Sequence, residues 1–193
     1  MKKIVFTTLL FIASISIYAQ KDTVGIYYAN GNSLIKIEPI KYSKTKTNTL
    51  GSALTMGIAN SSVKTIYRGG SSLNKTSKET KFYFYFASNK IINASEMMQN
   101  WMFINSYSPK DFIIAKLNPK GNSRELRVAK INVYAGMEMG VADDALSDIT
   151  SKQIKNGIYE VTIKNASPGE YCFMYNGANG SGAYLPIFDF SIE

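Results

Sequence analysis

Chemistry in this chain has to come from carboxylates, hydroxyls, phenols and amines, because the sequence has no histidine and a single cysteine. Without imidazole there is no Ser-His-Asp or Cys-His relay, no histidine general base and no carboxylate-His-zinc site. Cys172 has no histidine to activate it and no second cysteine to pair with, so it is expected to be a small buried side chain. Paired carboxylates are the one catalytic device left. Asp143 and Asp144 are the nominees, yet adjacent residues on a strand point to opposite faces and do not flank one glycosidic bond. Glu138, Asp143, Asp144 and Asp148 place four acids in the stretch 137–150, which raises the question of calcium. The alternating Asp-x-Asp/Asn order of an EF-hand is missing, so a solvated acidic loop is the expectation. Residues 176–182 are Gly-rich but lack a following Lys-Ser/Thr and precede a strand, which excludes a phosphate loop. No cofactor and no metal is expected.

Binding is better served than catalysis. In the run 81–87 Phe82, Phe84 and Phe86 share one face of a strand, and Tyr83 and Tyr85 share the other. The Phe face must be core. The Tyr face is open to two readings: phenols that stack on sugar rings or donate to them, or one side of a central strand covered on both faces. Charge supplies the second candidate surface. Residues 21–90 carry 11 basic and 3 acidic side chains, whereas residues 91–193 carry 9 basic and 11 acidic. Lys41, Lys44 and Lys46 lie at the centre of the basic half. Such a surface suits an anionic glycan, lipid headgroups or an acidic protein, though lysine also serves as solubiliser and edge-strand guard. Arg68 is the only arginine in that half, which argues against bidentate phosphate recognition and against a nucleic-acid partner.

The elements that position these residues are strands. Lys2 and Lys3, the apolar run from Ile4 to Ile17 and Tyr18-Ala19-Gln20 read as a secretory signal peptide cut after Ala19. At 14 residues with four Ser or Thr, that run is short and polar for a helix crossing about 30 Å of hydrocarbon. Residues 20–193 are then one domain, with a possible subdivision near 88–110, and no spanning helix is expected in them. Location in the periplasm, at the outer surface or in the medium follows. Hairpins are expected at Asn30-Gly31-Asn32 and across the turn 118–122, and Pro39 should end the second strand. Residues 41–60 read as a short helix or irregular loop, with Leu50, Leu54 and Ile58 at helical spacing. Asn93 and Glu96 stand at capping-box spacing ahead of Met97, Met98, Trp101 and Met102, which predicts a short connecting helix. Nine candidate strands separated by Gly, Pro, Asn and Ser turns make the fold class all-β, an immunoglobulin-like antiparallel sandwich with extra N-terminal strands and one short helix.

Late in the chain, Pro168-Gly169 opens a strand in which Tyr171, Phe173 and Tyr175 alternate with Glu170, Cys172 and Met174. Tyr171 is placed like the tyrosine of a Greek-key tyrosine corner, except that Cys172 follows it directly and falls on the other face. Together with Ser108-Pro109, Phe112, residues 123–126, residues 156–159 and Phe188-Asp189-Phe190, this pattern resembles uncharacterised exported bacterial proteins with an immunoglobulin-like C-terminal half. The resemblance spans about residues 101–193 and implies a fold but no activity. The function expected from the sequence is a non-enzymatic cell-envelope module that binds a protein or glycan partner, with a carboxylate-dependent glycan-acting enzyme as the alternative.

Overall fold

The structure, a computed structural model, describes residues 23–48, 60–87, 101–132, 134, 136–176 and 186–193. Strict alternation of side chains drives it. One sheet is built from β1 (Gly25–Asn30), β2 (Ser33–Ile37), β6 (Phe82–Tyr85), β11 (Ile149–Lys155) and β12 (Ile158–Ile163), in the order β11-β12-β6-β1-β2. The other contains β3 (Lys44–Asn48), β4 (Ser61–Arg68), β5 (Lys75–Thr76), β7 (Phe112–Lys120), β8 (Ser123–Asn132), β13 (Gly169–Tyr175) and β14 (Phe188–Ile192), in the order β3-β4-β8-β7-β13-β14-β5. To it are added β9 (Gly136–Met139), paired with β8, and β10 (Leu146–Ser147), paired with β7. Pairing is antiparallel throughout these sheets except between β14 and β5. Both sheets draw strands from either side of residues 88–110.

The chain packs as three layers. Ile26, Tyr28, Phe82, Phe84 and Val161 of the first sheet meet Phe112, Ile114, Tyr171, Phe173, Phe188 and Phe190 in the main core. Phe84 sits 5.0 Å edge-to-face from Phe173 and 5.3 Å from Phe112, the geometry that the ring quadrupole favours. On the reverse face of β7 and β13, Ala115, Leu117, Cys172 and Met174 pack against Tyr67, Leu126 and Val128 of β4 and β8. The expected all-β sandwich is therefore present, with β4 and β8 folded across its back. Residues 101–104 form a helical turn, and Trp101 packs edge-on against Tyr175.

Turn chemistry follows the sequence. Asn30 pairs with Ser33 around Gly31, whose φ of +58° suits glycine. At the second hairpin β7 runs on through Pro119, so the turn shrinks to Gly121-Asn122. The Tyr171 hydroxyl donates to Ser167 O at 3.0 Å and completes the tyrosine corner. Tyr27 repeats the device by donating to Thr23 O at 2.9 Å. Tyr171→Phe removes a part-buried hydrogen bond and should lower unfolding free energy by about 1 kcal/mol in a urea titration. Cys172 lies buried on the face opposite Tyr171, and burial pushes its thiol up, away from the reactive thiolate.

Two stretches depart from expectation. Residues 44–48 are a strand rather than helix or loop, because pairing with β4 supplies the order that an all-polar Lys-Thr-Lys-Thr-Asn run cannot announce. The acidic stretch 137–150 is likewise mostly ordered, as β9, a 3-10 turn at Asp143–Ala145, β10 and the start of β11. The signal peptide, the helical spacing of Leu50, Leu54 and Ile58, the Asn93–Met98 cap and the Gly-rich loop after Asn176 lie outside the described residues.

Candidate functional site

Tyr83 and Tyr85 do not form a sugar platform. β6 is the middle strand of its sheet, and both rings are buried at 5% and 6% exposure, packed with Tyr27 and with Ala29, Leu34 and Ile158. Tyr85 meets Tyr27 edge-on at 5.0 Å, and the Tyr83 hydroxyl donates to Glu160 at 3.3 Å. A stacking surface needs an exposed ring face. These phenols instead cover the outer side of the sheet.

The lysines divide between two surfaces. Lys44 and Lys46 project from β3, the terminal strand of its sheet, while Lys41 lies before that strand and lines a groove. Register places Lys46 opposite Lys64 on β4, and Lys64 opposite Arg127 on β8. Three cations thus stand abreast across three strands. By the same alternation Lys44 and Lys120 share this face, with Glu125 between them. Lys64 donates to Glu125 at 2.8 Å and Arg127 to Asp144 at 2.8 Å. The Lys64 hydrogen bond, together with the fields of Lys64, Lys120 and Lys46, holds the Glu125 carboxyl below its ordinary value despite its burial. Two acids, Glu125 and Asp144, sit among five cations.

A second constellation escaped the sequence. Arg124 on β8 is buried at 3% exposure and bridges two buried acids, Glu170 on β13 and Asp189 on β14. Its guanidinium donates to both carboxylates and also to Gly69 O at 3.1 Å and Arg68 O at 3.2 Å. Glu170 also accepts from the Ser71 hydroxyl (2.7 Å), the Ser72 N–H (2.8 Å) and the Ser191 hydroxyl (2.9 Å). Burial pushes the Glu170 carboxyl up, but these three donors and Arg124 outweigh it and leave it low. A carboxyl held ionised in this way is a poor general acid. The network fastens residues 68–76 to the sheet edge. Its members are far apart in sequence and belong to different strands, so only pairing register could have assembled them.

Above Arg124 and Asp189 lies an open groove of about 850 Å³, walled by residues 36–43 on one side and 68–74 on the other. Among the described residues no group of three or more Asp, Glu or Cys is placed to hold a metal, the acids Glu138, Asp143, Asp144 and Asp148 included. Asp143 and Asp144 are exposed, and with Glu138, Arg127 and Lys130 they line a shallow open pocket of about 310 Å³. No helix among the described residues is long and apolar enough to cross a membrane. No known protein family, curated protein or solved structure matches the chain, so the chemistry of these two surfaces carries the functional reading.

Proposed function

We propose that this chain is an exported, non-enzymatic binding module of the cell envelope, and that the face bearing Lys44, Lys46, Lys64, Lys120 and Arg127 takes an anionic glycan. The carrying observation is the row of Lys46, Lys64 and Arg127 abreast on adjacent strands. Like charges directly opposite one another cost a sheet stability, and the five cations of this face outnumber the two acids they bond, Glu125 and Asp144. Strand spacing of about 4.8 Å sets these cations at close intervals, suited to a polymer with repeating carboxylates. Export rests on Lys2-Lys3, the apolar run to Ile17 and the Ala19 junction, and places the module in the periplasm, at the outer surface or in the medium.

Retention of the mature chain on immobilised polyuronate, with neutral dextran as control, tests the reading. Binding should appear only on polyuronate at low ionic strength and vanish near 1 M salt, where the screening length is about 3 Å. Equal retention on dextran, or retention indifferent to salt, would sink it. Displacement by polyaspartate far more readily than by soluble polyuronate would move the partner to an acidic protein.

A further inference from the structure

Leu73 is 97% exposed at the tip of a loop that is fastened on both sides. Before it, the Gly69 N–H donates to Asn122 O at 3.0 Å, and Gly70 lies so close to the β7–β8 turn that a Cβ would sit 2.7 Å from Gly121 O. Ser71 and Ser72 bond Glu170, and the Ser72 hydroxyl donates to Asp189 O at 3.2 Å. After it, the Asn74 side chain donates to Asp189 O at 2.9 Å, and Asn74 O accepts from the Ser191 N–H at 2.8 Å. Leu73 is thus a fully exposed apolar side chain on a loop held by buried charge, the kind of preorganised anchor that loses little freedom on binding.

The groove beside it has the size of a ligand site, which runs to roughly 300–1,000 Å³. Ile40, Tyr42 and Leu73 give it apolar surface, and Lys36, Lys41 and Arg68 give it cations. Its acids are partly spent, since Asp189 is held by Arg124 and Glu38 lies 4.0 Å from Lys36. Neither Lys41 nor Arg68 has a salt-bridge partner among the described residues.

We infer that this groove is a docking site for an extended acidic segment of a protein partner, with apolar side chains against Leu73 and Tyr42 and carboxylates toward Lys41 and Arg68. Charge complementarity selects an acidic occupant. The apolar lining selects a peptide over a glycan, whose hydroxyls would lose water against Ile40, Tyr42 and Leu73 without gaining partners. The groove shares no lining residue with the cationic set proposed for glycan, so each can be tested by its own substitutions.

Fluorescence anisotropy of the mature chain with a labelled octapeptide alternating Asp and Leu tests it. Two control peptides replace every Asp by Lys, or every Leu by Ser. The Asp–Leu peptide should bind at least tenfold more tightly than either control. Leu73→Asp and Lys41→Glu should each weaken it at least tenfold, while leaving the thermal midpoint and polyuronate retention unchanged. Affinity equal to that of the controls, or indifferent to both substitutions, overturns the inference. So does competition by soluble polyuronate that is lost with Leu73→Asp, which would put glycan in the groove.

Discussion

Arg124→Met will lower the unfolding free energy by about 3–5 kcal/mol, the cost of leaving buried charge without its counter-ion. The methionine fills much of the arginine's volume but supplies none of its donors. Glu170 and Asp189 would then share a buried site as unscreened carboxylates, and Gly69 O and Arg68 O would lose their bonds to the guanidinium. Urea titration reads the loss directly. It should be accompanied by faster amide exchange over residues 69–76, which the network holds to β14. Acid separates this mechanism from simple loss of packing. Glu170 has its folded-state value below the ordinary 4.5, so its contribution is present above 4.5 and is lost as pH falls through the folded value. The wild-type chain should therefore lose stability below pH 4.5. In the variant, protonating Glu170 relieves its repulsion with the neighbouring carboxylate, so the gap between the two proteins should narrow as pH falls. A gap that stays constant from pH 7 to pH 3 would mean that Arg124 acts through its bulk.

Reversing the cationic row carries the second large effect. Lys46→Glu, Lys64→Glu and Arg127→Glu together should weaken binding to polyuronate by more than a hundredfold. A basic side chain near an anionic surface is worth about 1 kcal/mol, and three such losses compound to about 3 kcal/mol before any repulsion from the new carboxylates. Stability should change little by comparison, because Lys46 and Arg127 are exposed and the Lys46–Lys64 juxtaposition is itself unfavourable. Lys64 is the larger exception, since the like-charge contact that Arg127→Glu would make with Asp144 is open to solvent. Its 2.8 Å bond to Glu125 would become a like-charge contact, so Lys64→Gln with the other two reversals gives a folded control that should show most of the same loss.

Period-2 alternation made the sandwich legible. Phe82, Phe84 and Phe86 declared a core face, and Pro168-Gly169 ahead of Tyr171 declared a corner, because both signals are local and rest on side-chain direction and turn chemistry. Strands with no apolar period were not legible. β3 is Lys-Thr-Lys-Thr-Asn and β11 is almost wholly exposed, so their order comes from a partner strand rather than from their own composition. The candidate sites divide the same way. Lys44 and Lys46 were visible as a local cluster, but Lys64, Lys120 and Arg127 joined them only through register. Tyr83 and Tyr85 were visible as a face, but alternation cannot say whether that face meets solvent. Arg124, Glu170 and Asp189 gave no sequence signal, since Arg124 is one of four charged residues on β8 and Glu170 and Asp189 are each the single charge of an otherwise ordinary strand.

Titrating the isotopically labelled mature chain with a short oligouronate, while following backbone amide shifts, tests the central claim most directly. The shifts should concentrate on the strands 44–48, 61–68 and 123–132 and fade as salt is raised, leaving the buried tyrosine face of β6 unmoved. Shifts confined to any other surface, or the absence of saturable shifts at low ionic strength, would contradict an anionic-glycan site on this sheet.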